Sequence, residues 1–157
     1  MNAGVTLAAL LAALLPLAAS ASGGERGARV PLLPAYQNEC GACHVAYPPG
    51  MLPAASWRRL TSDLPHHFGT DASLDAPTLT QLSGWLDANA GRGKRVDKAP
   101  PPEDRITRSV WFERKHDDIS AATWKRPSIK SPANCAACHP RAAEGSFDEH
   151  AIRIPRQ

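Results

Sequence analysis

The sequence predicts a mostly α fold: short helices and long loops, with little or no strand, wrapped around something other than its own side chains. Three observations carry that expectation. Apolar residues recur at helical spacing only in short runs, each closed by proline or glycine. The 157 residues hold 15 Pro but only 4 Trp, 3 Phe and 2 Tyr, a thin supply for a core. One five-residue pattern also occurs twice, as Cys40-Gly41-Ala42-Cys43-His44 and as Cys135-Ala136-Ala137-Cys138-His139.

The repeated pattern, Cys-x-x-Cys-His, is that of covalent haem attachment. Two thiols three positions apart lie on one helical face and can each bond one vinyl-derived carbon of the same porphyrin. The imidazole that follows turns back to the iron as its proximal ligand. The rival reading gathers Cys40, Cys43, Cys135 and Cys138 into one zinc site. That site needs no His after each pair, and with 6 His in the chain chance supplies both in roughly 0.15 % of cases. A thioredoxin-like redox pair needs a βαβ context, which the sequence lacks. Two covalent haem c groups are therefore expected, and they supply the apolar interior that the side chains do not. Without them the chain should be largely unfolded.

The first 21 residues carry no charged side chain and end in Ala19-Ser20-Ala21, which fits a secretory signal peptide over 1–21. The alternative is an uncleaved anchor. Residues 22–157 then form a single dihaem domain. Export to the periplasm agrees with haem attachment outside the cytoplasm. It also explains why all four cysteines sit in the two motifs, with none left for a disulfide. The formal charge of +3 falls to about +1 once each ferric haem and its propionates add about −1, and the cations are scattered, so no nucleic-acid partner is expected.

Along the chain, residues 22–35 read as an extended entry segment. A short helix is expected from Tyr36 to His44, ended by Pro48-Pro49-Gly50. A second starts near Pro53 with Trp57, Leu60 and Leu64 on one face and stops at Pro65. His66-His67-Phe68-Gly69 follows as a turn. Asp75 caps a third helix, with Pro77 in its first turn and Leu79, Leu82 and Leu86 along one stripe, ending near Gly91. Arg92, Lys94, Arg95 and Lys98 form a basic loop, read as solvated, with an anionic docking patch as the alternative. A fourth helix is expected over Arg105 to His116, an irregular stretch around Trp124, and a fifth helix from Ser131-Pro132 carrying the second motif. The tail from Gly145 to Pro155 is expected to be irregular.

Each iron has one axial position left after His44 and His139. The candidates are His66, His67, His116, His150 and Met51. Met51 follows Cys43 too closely to return around the haem edge and reads as packing. His66 and His67 are adjacent and diverge, so one of the two is expected to ligate. His116 closes a helix that bears Trp111 and Phe112, while His150 lies in a polar run. The residues alone point to one of His66/His67 plus His116. Proximity in sequence assigns the former to the first haem and the latter to the second; interleaved helices would reverse it.

The chain resembles the small periplasmic dihaem cytochromes c. The resemblance is carried by Glu39-Cys40 to His44, Pro49-Gly50-Met51-Leu52-Pro53 with Ser56-Trp57, and His67-Phe68-Gly69 with Asp71-Ala72-Ser73-Leu74. It continues through Arg105-Ile106-Thr107, Trp111-Phe112, His116, Asn134-Cys135 to His139, Gly145-Ser146-Phe147 and Ile154-Pro155. It implies two six-coordinate haems with two His each, and places a ligand His directly before Phe-Gly, favouring His67. It also supports His116. It further implies electron transfer, with a small oxygen-binding monohaem cytochrome c as one partner and a membrane cytochrome b as donor.

The expected activity is thus electron carriage rather than catalysis. With both axial positions closed, no iron is open to oxygen or peroxide and no small-molecule substrate is expected. The rival from another class is a haem enzyme, a dihaem peroxidase or a gas-binding cytochrome with an open iron. A third reading is an electron-transfer subunit of a periplasmic reductase.

Overall fold

The computed structural model describes residues 30–93, 96 and 99–156. The expected signal peptide over 1–21, residues 22–29 of the entry segment, and Lys94, Arg95 and Lys98 of the basic loop lie outside the described residues. Among the described residues there are five α-helices, several 3₁₀ turns and no strand. No helix among the described residues is long and apolar enough to cross a membrane.

Helix α1 spans Pro34–Gly41, with proline in the first turn where its missing N–H costs nothing. It is shorter at its C-terminus than expected. Cys40 lies in its last turn, while Cys43 and His44 lie in the turn beyond. Helix α2, Ala54–Ser62, buries Trp57, whose indole N–H donates to the Pro49 carbonyl at 2.7 Å. Leu64 leaves the predicted helical face. Pro65 disfavours the α region for the residue before it, and a 3₁₀ turn, Leu64–His66, takes over.

Helix α3, Ala76–Asn89, starts as expected. Asp75 accepts from the Thr78 backbone N–H at 3.0 Å and from its hydroxyl at 2.7 Å. Leu82 and Leu86 are buried, Leu79 only half so. Beyond the helix, the Gly91 N–H donates to the Leu52 carbonyl at 2.8 Å. A Cβ at Gly91 would strike the Gly50 carbonyl, so only glycine permits this approach. Tyr36, Ala46, Leu52, Trp57, Leu82, Leu86 and Ala90 form one buried cluster between α1, α2 and α3.

The second half departs further from expectation. The helix expected over 105–116 is broken at Ser109, which is extended (φ −74°, ψ 143°). A 3₁₀ turn, Ile106–Arg108, precedes it. Ser109 then accepts from the Phe112 N–H at 3.1 Å and caps α4, Val110–Lys115. The helical spacing hid a capping residue whose hydroxyl competes with the helix it interrupts. Trp124 is not irregular: it ends a one-turn helix, α5, Ala121–Trp124, capped by Ser120.

The helix expected from Ser131-Pro132 does not form. The Ser131 hydroxyl accepts from Ala133 N–H at 3.1 Å, and Asn134 leaves the helical region while its amide donates to the Ile129 carbonyl at 3.0 Å. Only a 3₁₀ turn, Cys135–Ala137, carries the second motif. Pro132 and Pro140 bracket it, and Pro140 bars His139 from continuing a helix. The tail is mostly irregular, with short turns at Ala142–Glu144 and Glu149–Ala151.

Candidate functional site

Four histidines come together as two facing pairs. The His44 and His67 rings lie 6.3 Å apart, centre to centre, with their planes 25° from parallel. The His116 and His139 rings are also 6.3 Å apart, but cross at 76°. A ring nitrogen sits about 1.1 Å from the imidazole centre, and His–metal bonds run about 2.0–2.1 Å. Two imidazoles on opposite sides of one metal are therefore about 6.2–6.4 Å apart. Each pair has the separation that one iron between them requires.

Local structure places each ring. His44 sits just past α1, and its Nδ1–H donates to the Val45 carbonyl at 2.7 Å, which leaves Nε2 to face a metal. His116 is the C-cap of α4, and its Nδ1–H donates to the Phe112 carbonyl at 2.9 Å. His67 begins a tight reversal. Phe68 (φ 49°) and Gly69 (φ 92°) are both left-handed, and the Thr70 N–H returns to the His67 carbonyl at 3.0 Å. The Arg105 guanidinium lies 4.2 Å over the Phe68 ring and holds that unusual residue in place. His139 follows the 3₁₀ turn of its motif, its N–H bonded to the Cys135 carbonyl at 2.8 Å. The Nδ1 atoms of His67 and His139 are buried with no hydrogen-bond partner among the described residues.

Burial, and then the facing imidazole of each pair, hold the His67 and His139 pKa values below the ordinary histidine range. Both favour the neutral form that binds metal. His66 is the opposite case. Its side chain is 80 % exposed, its Nδ1–H donates to Asp63 at 2.7 Å, and that bond raises its pKa. The adjacent histidines diverge as expected, and His67 is the one turned inward. His150 is exposed. Met51 is half-buried and lines the cavity beside the second motif.

That cavity, about 430 Å³, is bounded by Cys135, Cys138, His116, His139, Phe112 and Trp124 among others. It is large, mostly apolar and carries both thiols and both imidazoles, the donor set that a haem requires. Phe112 stacks on His116 at 4.1 Å, and Phe147 lies 5.3 Å from His139. A groove of about 330 Å³ runs beside His67, bounded by Phe68, Arg59 and Asp104, and does not reach His44 or the first motif's thiols.

No two of the four cysteines form a disulfide. Burial pushes Cys40 and Cys135 up to about 11, and raises Cys138. Among the described residues no three His, Cys, Asp or Glu side chains gather to hold a metal ion by themselves. The zinc reading therefore fails, and the Cys pairs fit covalent attachment.

The family model for dihaem cytochrome c matches residues 36–147, which include both motifs and all four paired histidines. The chain belongs to the dihaem cytochrome c family. It is similar to the dihaem cytochrome c of Shewanella baltica OS155, with 36% identity over 81% of this chain and 96% of that one, at a TM-score of 0.69. Two structures of the dihaem cytochrome c from Rhodobacter sphaeroides are each 43% identical. One covers 76% of this chain and 100% of its own, at a TM-score of 0.67, and the other 75% and 99%, at 0.64. Among curated proteins none matches the chain. As a dihaem cytochrome c it carries two haem c groups and serves haem-based electron transfer. The helical, strand-free architecture expected from the sequence is that of these relatives.

Three further participants carry no signal of their own in the sequence. The carbonyls of Val45 and Phe112 orient two of the rings, and backbone atoms carry no residue-type signal. Tyr47 stacks on His44 at 4.8 Å and 20°. Its place three residues after the motif was a signal only in retrospect.

Proposed function

We propose that this dihaem cytochrome c is a periplasmic carrier that passes single electrons through two bis-histidine haems, and that it is not an enzyme. In this reading Cys40 and Cys43 tether the first haem, and His44 and His67 hold its iron. Cys135 and Cys138 tether the second, with His139 and His116 on its iron. The observation that carries the reading is the 6.3 Å separation in both pairs, which fits a six-coordinate iron in each. The haem supplies a one-electron ferric/ferrous couple. The chain supplies neutral imidazoles, fixed in tautomer at His44 and His116 by carbonyl bonds, and an apolar wall that excludes water from the second site.

Two imidazoles leave no coordination position for a substrate and give a lower potential than His/Met ligation. The donor is then a membrane cytochrome b or another quinol-linked protein, and the acceptor a small soluble monohaem cytochrome c. The apolar, uncharged stretch over 1–21 supports export.

Electron paramagnetic resonance and carbon monoxide binding test the assignment. The purified holoprotein should show two low-spin ferric haems and no carbon monoxide adduct. A stoichiometric high-spin signal would sink the carrier reading in favour of a haem enzyme. His67→Ala and His116→Ala should each turn one haem high-spin, and His66→Ala neither.

A further inference from the structure

The Tyr47 side chain links the first haem site to the segment just before the second attachment motif. Its ring stacks on His44 at 4.8 Å, with the planes 20° apart. Its hydroxyl donates to the Ala133 carbonyl at 3.0 Å, two residues before Cys135. The Tyr47 backbone is anchored in turn. Its carbonyl accepts from the buried Tyr36 hydroxyl at 2.8 Å, and the Tyr36 ring packs on Trp85 of α3 at 5.0 Å. A rigid line thus runs from the α1–α3 core through Tyr47 to the proximal histidine of one haem and the attachment motif of the other.

We propose that Tyr47 is a positioning residue for electron exchange between the two haems, fixing the ring plane of His44 and tying the second attachment motif to the first site. This rests on His44 ligating the first iron. The stack constrains rotation about the bond between His44 and its metal, which the Val45 carbonyl bond alone restrains at one atom. The hydroxyl bond holds Ala133 and, through two residues, Cys135 and its haem. Tunnelling falls steeply with separation, so a loosened tether slows exchange without altering either iron's ligands.

The test compares holoprotein variants by rapid one-electron photoreduction, following redistribution between the haems, and by electron paramagnetic resonance. Tyr47→Phe keeps the stack and removes the tether. It should slow redistribution several-fold while both low-spin signals keep their g values. Tyr47→Leu removes both contacts and should also shift the g values of one low-spin signal, that of the first haem. Trp57→Phe, which deletes a buried hydrogen bond outside both pairs, should lower the melting temperature and leave exchange unchanged. Equal slowing in Trp57→Phe, or wild-type exchange and g values in both Tyr47 variants, overturns the proposal while leaving the ligands as assigned. A high-spin first haem in the wild-type protein overturns the ligand assignment, and the role of Tyr47 with it.

Discussion

The two haem sites solve one coordination problem with different surroundings. The first pair rests on a protein core: seven buried side chains cluster between α1, α2 and α3 behind it. The second pair stands in a region where, among the described residues, only Phe112, Ile129 and Ala142 are buried apolar side chains. There the 430 Å³ cavity occupies the place of a core, walled by one-turn helices and 3₁₀ turns. The hydrogen bonding differs too. At the first site the histidine of the motif, His44, is held by a carbonyl, whereas at the second it is the remote one, His116. The contrast predicts that the first half depends less on its haem for folding than the second, where the haem would be the largest apolar element present.

The most severe test of that contrast is to withhold one haem at a time. Replacing Cys135 and Cys138 by Ser should abolish hydrogen-exchange protection through residues 99–156 yet leave α2 and α3 protected. Replacing Cys40 and Cys43 by Ser should spare more of α1–α3 than its counterpart spares of the second half. Equal losses would erase the distinction between the halves.

A spectroscopic difference should follow from the ring planes. Nearly parallel imidazoles, as at His44 and His67, both donate into the same iron d-orbital and split the pair. Crossed rings, as at His116 and His139, load both orbitals and leave them close in energy. The ferric protein should therefore give one rhombic low-spin signal and one highly anisotropic one. Two identical signals would mean that the haems impose a common ring geometry.

Next in size are changes to the first half's own packing. Leu82→Ala opens a cavity beside Trp57 and Tyr36 and should cost about 2–5 kcal/mol by chemical denaturation. In the second half the nearest local device is the α4 cap. Ser109→Ala should cost about 1 kcal/mol, and because α4 carries His116 it should also make the second haem easier to displace with exogenous imidazole. A loss in stability with unchanged imidazole affinity would separate the cap from the ligand.

The smallest expected effect is a pH dependence where the halves meet. Arg59 of α2 grips Asp104 through two hydrogen bonds, 2.8 and 2.5 Å long. Burial of Asp104 is the largest single influence and opposes its ionisation, but the Arg59 bonds, the Ser56 hydroxyl and the Arg59 charge together outweigh it and hold the carboxyl below the ordinary range. A depressed folded pKa stabilises above the unfolded value of about 3.9. The contribution should be complete above that pH and lost as the pH falls through the folded value. Asp104→Asn should flatten the acid limb of a melting-temperature profile, and an unaltered profile would show the pair to be screened.

Legibility divided along the same line. The Asp75 cap and the Leu82/Leu86 stripe of α3 could be read because propensity, capping and burial agree over fourteen residues. Ser109 and Ser131 misled in opposite senses. Ser109 lay inside a helical spacing and proved to be a cap, whereas Ser131 looked like a cap and only closes a turn. In segments this short, side-chain-to-backbone bonds and flanking prolines outweigh periodicity. The choice between His66 and His67 needed the left-handed turn at Phe68-Gly69, which aims one ring inward and leaves the other on Asp63.

By itself the sequence determined the cofactor chemistry, the two Cys-x-x-Cys-His motifs that would attach it and the mostly helical class. Covalent attachment demands contiguous residues, and capped helices announce their own ends. Only the tertiary structure decided which distant histidine faces which motif, at what angle the rings cross, and that Tyr47 lies between the sites. Those depend on chain reversals and on packing between segments far apart in sequence, where no local pattern records the partner.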